Sequence, residues 1–474
     1  MVIFMAVDGD WICNELSLVD LGDERLNARL VKTATRLAAK PTLTIKMACA
    51  NKSEVKGAYR MFSNPMVDQE EIFGSHQVRT AERMKNHPLV FAIQDTTFID
   101  FSGHGATQDL GSIGSFAEFE ALGLILHSTL AINPSGKPLG LLTQQFEARE
   151  IKEKASRKAQ KKRVKSKSID HKESRKWLDA FEETQQYVTA KTKVVTLADR
   201  EADIFELIET ANQTKGSFLI RSSHNRESEE GAYIRDILAK LEPSGRYAVE
   251  LPKTNKRSAK KAELEVRFTK ITLKPSQRLA KARAAGHSYE PQEVYLVEAK
   301  EIGSYKDLVH WVLITNEPTN TLEEAIEKIN WYKLRWSIEQ FHRILKSGCT
   351  IEECRFQYAD RLKRYISVMS IIAVRLFQLM MSSRSEPETP CTAEFSDTEW
   401  RVLYMRMKKT KNFPKEPPTL KQAVTWVAQL GGYQDRKSDP PPGMTVLWRG
   451  WQELQSCISM WEAIASPEMQ RCGY

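Results

Sequence analysis

The chain has 474 residues, 41% of them hydrophobic, and 70 Lys and Arg against 61 Asp and Glu give a net charge of +9. At roughly 150 residues per domain this is about three domains, with apolar content sufficient for a substantial core. Seven cysteines, odd in number and without a CxxC pair, exclude a disulfide framework and a zinc ribbon. The apolar start (1–7) lacks a basic region and a full hydrophobic stretch, so no signal peptide is expected and the protein is placed in the cytoplasm. The longest apolar run, 366–381, is interrupted by Arg375 and reads as a buried helix, not a bilayer span. The basic balance favours a polyanionic partner, although many basic proteins never touch nucleic acid.

In chain order, residues 1 to about 71 look helical. Arg25, Arg29, Arg36 and Lys40 share a segment in which Leu26, Leu30, Val31, Ala34 and Leu37 recur at helical spacing. This is either the basic face of a DNA-binding module or an ordinary solvated face. A strand follows at 89–94, ending in Asp95-Thr96-Thr97, with further apolar runs at 122–132 and 139–143. The lysine-rich stretch 152–176 reads as a loop leading into a helix near Trp177, gripping phosphates or simply solvated.

Val194 to Ala198 form a buried-type strand that stops at Asp199, and the next helix is expected to begin at Arg200. From 215 to 316 the pattern is mainly β, with strands at 218–220, 247–251, 262–273, 293–298 and 309–315 and a second lysine cluster at 253–261. Helices are expected at 322–346 and 360–381. A Pro- and charge-rich linker (408–418) leads into a helical end carrying Trp426, Trp448, Trp451 and Trp461.

The chemistry concentrates around three acids. On an ideal helix, setting Tyr332 at zero places Arg335, Glu339, Arg343 and Lys346 on one stripe roughly 80° wide. Leu334, Ile338, Phe341 and Leu345 fall on another face. An amphipathic helix with i, i+4 ion pairs explains this pattern. So does a metal-binding carboxylate flanked by phosphate donors. Asp199 ends a parallel-type strand, where open α/β sheets place ligands, although helix capping is an alternative role. Asp95 follows the apolar run Phe91 to Gln94, as a turn residue or a ligand. If the three acids meet, they can hold two Mg²⁺ ions, with Mn²⁺ as a substitute.

Tyr332-x2-Arg335-x3-Glu339-x6-Lys346 resembles the signature of the insertion-sequence transposases of the IS-four family. The resemblance runs nearly end to end. It takes in LGDERLNARLV (21–31), KGAYRMFSNP (56–65), DTT at Asp95, DREAD (199–203), the stretch 355–379, QLGGYQDRK (429–437) and LWRGWQELQS (447–456). It implies an α/β fold: a ribonuclease H-like core with a β-rich insertion at about 205–316, inside a catalytic domain 72–383. A helical DNA-end-binding domain (1–71) precedes it and a helical dimerisation domain (384–474) follows. It also implies a DDE triad of Asp95, Asp199 and Glu339 with Mg²⁺, double-stranded DNA and a second copy as partners, and cut-and-paste transposition through a DNA hairpin. A flipped base would be held by Trp311, for which strand packing is the alternative role. Tyr332, Arg335, Arg343, Lys346 and Arg221 would contact DNA, with Arg25 and Arg29 in the N-terminal module. Arg343 stands where the family has lysine, while Ser223 and Leu26 stand where it has basic residues. A non-catalytic end-binding regulator and a stand-alone nuclease remain the rival readings.

Overall fold

The first ordered elements are short helices whose starts are written in the sequence. In the computed structural model, residues 11–116, 119–150, 172–251, 260–276, 279, 289–303 and 308–465 are described. The apolar start, most of the lysine-rich stretch and most of the cluster 253–261 lie outside them. Helices α1 (Trp11–Glu15), α2 (Glu24–Ala39), α3 (Ile45–Ala48), α4 (Lys52–Phe62) and α5 (Gln69–Met84) come first. Asp23 caps α2 by accepting the Arg25 N–H, and Asn51 caps α4 by accepting the Glu54 N–H, each satisfying an otherwise orphaned donor.

There follow β1 (Leu89–Asp100), β2 (Gly111–Phe116), β3 (Phe119–Ile132), β4 (Pro138–Glu147), α6 (Arg175–Thr184), β5 (Lys193–Ala198), α7 (Phe205–Thr214) and β6 (Ser217–Arg221). Next are α8 (Ile234–Lys240), β7 (Gly245–Leu251), β8 (Lys260–Leu273), β9 (Gln292–Glu301) and β10 (His310–Thr315). The chain closes with α9 (Leu322–Lys333), α10 (Trp336–Arg343), α11 (Ala359–Ser385), α12 (Asp397–Lys408), α13 (Leu420–Leu430) and α14 (Met444–Ala465).

Two compact units result: Met1–Met84, Thr96–Ile151 and Glu339–Tyr474 form one, Lys85–Asp95 and Lys152–Ile338 the other. In the second unit the strand order is β1-β5-β6-β10-β9-β8-β7. β1, β5 and β6 are parallel, as expected of strands with near-continuous apolar runs. From β10 onward every pairing is antiparallel. Trp177, Phe181, Phe205 and Ile208 from the helices pack on Phe218, Ile220, Leu296 and Ile314, all buried. The α7–β6 turn is tight: Lys215 is left-handed (φ 57°), and a Cβ on Gly216 would sit 2.6 Å from the Phe181 ring.

In the first unit β3 pairs with β2, β4 and the end of β1. The 27-residue α11 is the expected apolar helix, and 83% of its most apolar window is buried, so it reads as a core helix. α13 and α14 approach closely at two glycines. A Cβ on Gly450 would lie 1.6 Å from the Val427 carbonyl oxygen, and one on Gly431 1.9 Å from that of Val446.

Three local expectations are corrected. β1 does not stop at Asp95 but runs to Asp100, because Thr96, Thr97 and Ile99 are good strand formers with β3 to pair with. The turn after Asp199 is a 3-10 helix, Arg200–Ala202, and the α-helix begins only at Phe205. The helix expected at 322–346 is broken. Arg335 N–H bonds the Tyr332 carbonyl and Ser337 N–H that of Leu334, three-residue turns that overwind the chain. A wide turn at Ile344–Gly348, with the Cys349 N–H on the Ile344 carbonyl (2.8 Å), then underwinds it.

Candidate active site

The parallel register makes the acid pair. Ile93 pairs with Leu197 at the end of the β1–β5 register, and Asp95 and Asp199 each follow two residues later. Adjacent strands lie about 4.8 Å apart, and residues two further along point to the same face as the paired ones. Both carboxylates are half-buried where the apolar strands reach solvent. Asp199 Oδ1 also accepts the Glu201 N–H (2.8 Å), so it caps the short turn as well. Burial pushes the Asp199 carboxyl up, and the Asp95 charge adds to the push against that bond and the Arg335 and Arg221 charges. Glu201 is pushed up by burial, by Asp199 and by Asp95. The site therefore concentrates negative charge that its own cations do not cancel.

Beside it lies a tyrosine between two guanidinium groups. The Tyr332 hydroxyl accepts from Arg335 and Arg221, and burial raises its pKa. Arg221 also donates to the His310 carbonyl oxygen (2.9 Å). Tyr332 is 5% exposed and buried near the end of α9, so it does not stand on a solvent stripe. Trp311 is half-buried, with its ring 5.4 Å from that of Tyr332 at 68°.

Glu339 and Arg343 lie on the part of α10 that belongs to the first unit, Glu339 half-buried and Arg343 exposed. Ile338, Phe341, Ile344 and Leu345 on the same run are fully buried, as the apolar face requires. Lys346 sits in the widened turn and donates to the Phe98 carbonyl (2.7 Å) and to Glu352 (3.1 Å), which holds its ammonium group in place.

Among the described residues no three His, Cys, Asp or Glu side chains form a ready-made metal cage. The donor set nevertheless fits a hard divalent cation. Mg²⁺ binds through one or two carboxylates, and substrate oxygens and waters complete its shell. Two neighbouring carboxylates, Asp95 and Asp199, are such a pair.

Residues 8–67 match the family model of transposase DNA-binding domains, 153–375 that of transposase DDE domains, and 371–464 that of the Tn5 transposase dimerisation domain. The chain belongs to the Tn5-like DDE transposases of the IS4 family. It is an enzyme of DNA cleavage and strand transfer with a ribonuclease H-like core. Among solved structures it is similar to the piggyBac transposase synaptic complex with hairpin DNA. The identity is 8% and the TM-score 0.35, over 98% of this chain and 80% of that one, a likeness too slight to carry any argument.

The transposase DNA-binding match contains Arg25 and Arg29. Arg25 is exposed. Arg29 lies across α4 at Gly57, where a Cβ would come within 2.7 Å of its guanidinium. Lys32 and Arg36 are paired with the buried Glu54 (3.0 and 3.1 Å), which, despite its burial, is held down at about 2. So part of the basic face of α2 is structural. The sequence also gave no sign of what Asp203 does. This fully buried carboxylate accepts the backbone N–H of Ser223 (2.7 Å) and His224 (2.9 Å) and pairs with Arg226 (2.7 Å). It anchors the loop after β6, and the only hint was the last letter of DREAD.

Proposed function

We propose that this transposase cuts and joins DNA ends by cut-and-paste transposition, with Asp95, Asp199 and Glu339 as its triad. The reading rests above all on Asp95 and Asp199, which follow the last paired residues of parallel β1 and β5 and lie close enough for the Asp95 charge to raise the Asp199 carboxyl, a like charge that a cation would relieve. Those acids would hold two Mg²⁺ ions, or Mn²⁺ in their place. When bound, such ions polarise the attacking oxygen and stabilise charge on the phosphoryl group.

The chain's own groups do the rest. Arg335 and Arg221 present N–H donors beside the acid pair, suited to the non-bridging oxygens of the scissile phosphate. Tyr332, packed under Trp311, fixes both guanidinium groups, so little ordering is left to the moment of reaction. Arg343 and Lys346 would contact DNA phosphates as well. Each displacement breaks one P–O3′ bond as a new P–O bond forms: water nicks one strand, and the freed 3′-hydroxyl attacks the opposite strand to close a hairpin. Water then reopens the hairpin, and the 3′-hydroxyl joins target DNA. Trp311 offers a flat indole on which an extruded base can stack.

In this reading 1–71 bind the transposon end, 72–383 carry the chemistry and 384–474 join two copies. The test is incubation of a specific end duplex with Mg²⁺, run on a denaturing gel. Nicks followed by hairpins support it. Nicks alone indicate a simple nuclease, and no product from a protein that still binds ends indicates a regulator.

A further inference from the structure

Away from the acid pair, the second unit contains a cavity of about 530 Å³. His310 and Val312 of β10 line it, whereas Trp311 between them meets Tyr332. Alternate residues of a strand face opposite ways, so the cavity and the Trp311 surface lie on the two faces of β10. One wall is the loop 222–224, whose backbone the buried Asp203 clamps. Another is α8, which supplies Ile234 and Leu238 as an apolar floor, with Arg235 beside them.

The charge of this lining is one-sided. Arg200, Arg221, Arg235, Arg267 and Lys300 face a single carboxylate, Glu298. That carboxylate is already engaged by Arg267 (3.2 Å) and by the His310 ring (2.8 Å). Arg221 is engaged by Tyr332 and the His310 carbonyl. Arg200, Arg235 and Lys300, on three separate elements, have no ion pair among the described residues. Cations converging on a concave space whose one lining acid is already engaged repel one another and concentrate anions there.

We propose that this cavity is a phosphate-ester site that takes the backbone of a DNA strand leaving the acid pair. The inference rests on the transposase reading. Arg200 follows Asp199 directly in the chain, and Arg221 belongs to both the Tyr332 cluster and the cavity. Cations spread over a turn, a helix and a strand suit successive phosphates of a chain better than one small anion. The apolar floor suits sugars and bases between those phosphates. Asp203 is a positioning residue: it touches no ligand but sets the loop that closes the cavity.

The test compares wild type with the Arg235→Ala/Lys300→Ala double variant. Binding of a short random-sequence single-stranded oligonucleotide is followed by anisotropy across a salt series. Binding of inorganic pyrophosphate is followed by calorimetry, and thermal melting checks the fold. The salt slope of the variant should fall by about 1.4, about 0.7 for each lost phosphate contact on a single strand. Its affinity at low salt should fall about tenfold, its melting should be unchanged, and Arg235→Lys/Lys300→Arg should restore binding. An unchanged salt slope overturns the proposal. If pyrophosphate binding is lost while the strand slope stays, the ligand is a free phosphate compound, and the strand assignment is overturned. The transposase reading fails on a different readout, the absence of Mg²⁺-dependent end cleavage by the wild type.

Discussion

Two buried acids of the first unit, Glu15 and Glu394, and the acid pair of the second are built on opposite rules. Glu15 is paired with Arg83 (2.9 Å) and bonded to His76, and Glu394 with Arg375, Lys137 (3.1 Å) and Ser382 (2.8 Å). Burial pushes both upward, and their partners more than reverse it: Glu15 is held at about 2 and Glu394 below its usual range. Asp199 is pushed the other way, by burial and by a second acid. An acid that holds a fold together is given its counter-charges by the chain. One that works on an external ligand has its counter-charge withheld until that ligand arrives.

The sharpest way to break this contrast is to neutralise one acid of each kind. Asp199→Asn should abolish end cleavage. Losing several kcal/mol of charge stabilisation, say ~5, slows the chemistry by roughly 10³ to 10⁴. Its urea-unfolding stability should hold or rise, because a repulsion is removed. Arg375→Met should do the reverse. Leaving Glu394 with Lys137 as its only cationic partner should cost about 3 kcal/mol, as broken buried pairs do, with DNA cleavage per folded molecule retained. If Asp199→Asn unfolds the protein, or Arg375→Met leaves stability untouched, the distinction between the two classes of acid is lost.

A divalent cation should sharpen the contrast. Mg²⁺ at ~100 times its dissociation constant should raise wild-type stability by about 2.7 kcal/mol, seen as a higher melting temperature. Asp199→Asn should lose most of this gain, while Glu15→Gln should keep it. An equal Mg²⁺ shift in wild type and Asp199→Asn would place the cation elsewhere.

On the proposed hairpin step the effect is smaller but selective. Trp311→Ala removes a stacking platform of about 1–3 kcal/mol and should slow hairpin formation on the order of tenfold or more. First nicking should change little, as read on a denaturing gel. Equal slowing of both steps would show that Trp311 serves only to pack against Tyr332.

How much of this was legible depends on whether the physics was local. The three strands could be read because Val90 to Ile93, Val194 to Ala198 (interrupted only by Thr196) and Phe218 to Ile220 are near-continuous apolar runs ending at polar residues, but only 194–198 reads as parallel. The meeting of Asp95 with Asp199 could be suspected, but it follows from the register of two strands, and no single segment encodes it. The break at Leu334 and Arg335 was invisible because neither residue is a helix breaker. Tertiary burial of Tyr332 wins over local propensity there. The convergence of Arg235 and Lys300 was hidden for a similar reason: two ordinary surface cations far apart in the chain, one on helix α8 and one on β9, meet only at the cavity.

The smallest effect is on acid stability, where the sign distinguishes the two regions. His76 is buried and neutral: its Nε2 accepts the Leu141 N–H (2.9 Å), so it has no room for a second proton, and burial holds its pKa below 6.5. As pH falls through 6.5 the unfolded chain takes up a proton there that the folded chain refuses, so stability is lost. Below 4.5 the unfolded chain also protonates Glu15, which the folded protein keeps ionised down to about 2, and the loss steepens. Each such proton contributes up to about 1.4 kcal/mol per pH unit. Asp199, raised above 3.8, runs the opposite way: its folded form takes its proton first, which relieves strain as acid is added. In urea titrations from pH 7 to 3, His76→Gln should flatten the upper window and Glu15→Gln the lower one. Asp199→Asn should make the acid loss steeper than in wild type, since the relief is gone. Parallel curves for all three variants would mean that these groups titrate alike in the folded and unfolded chains, and the contrast between paired and unpaired acids would have no energetic content.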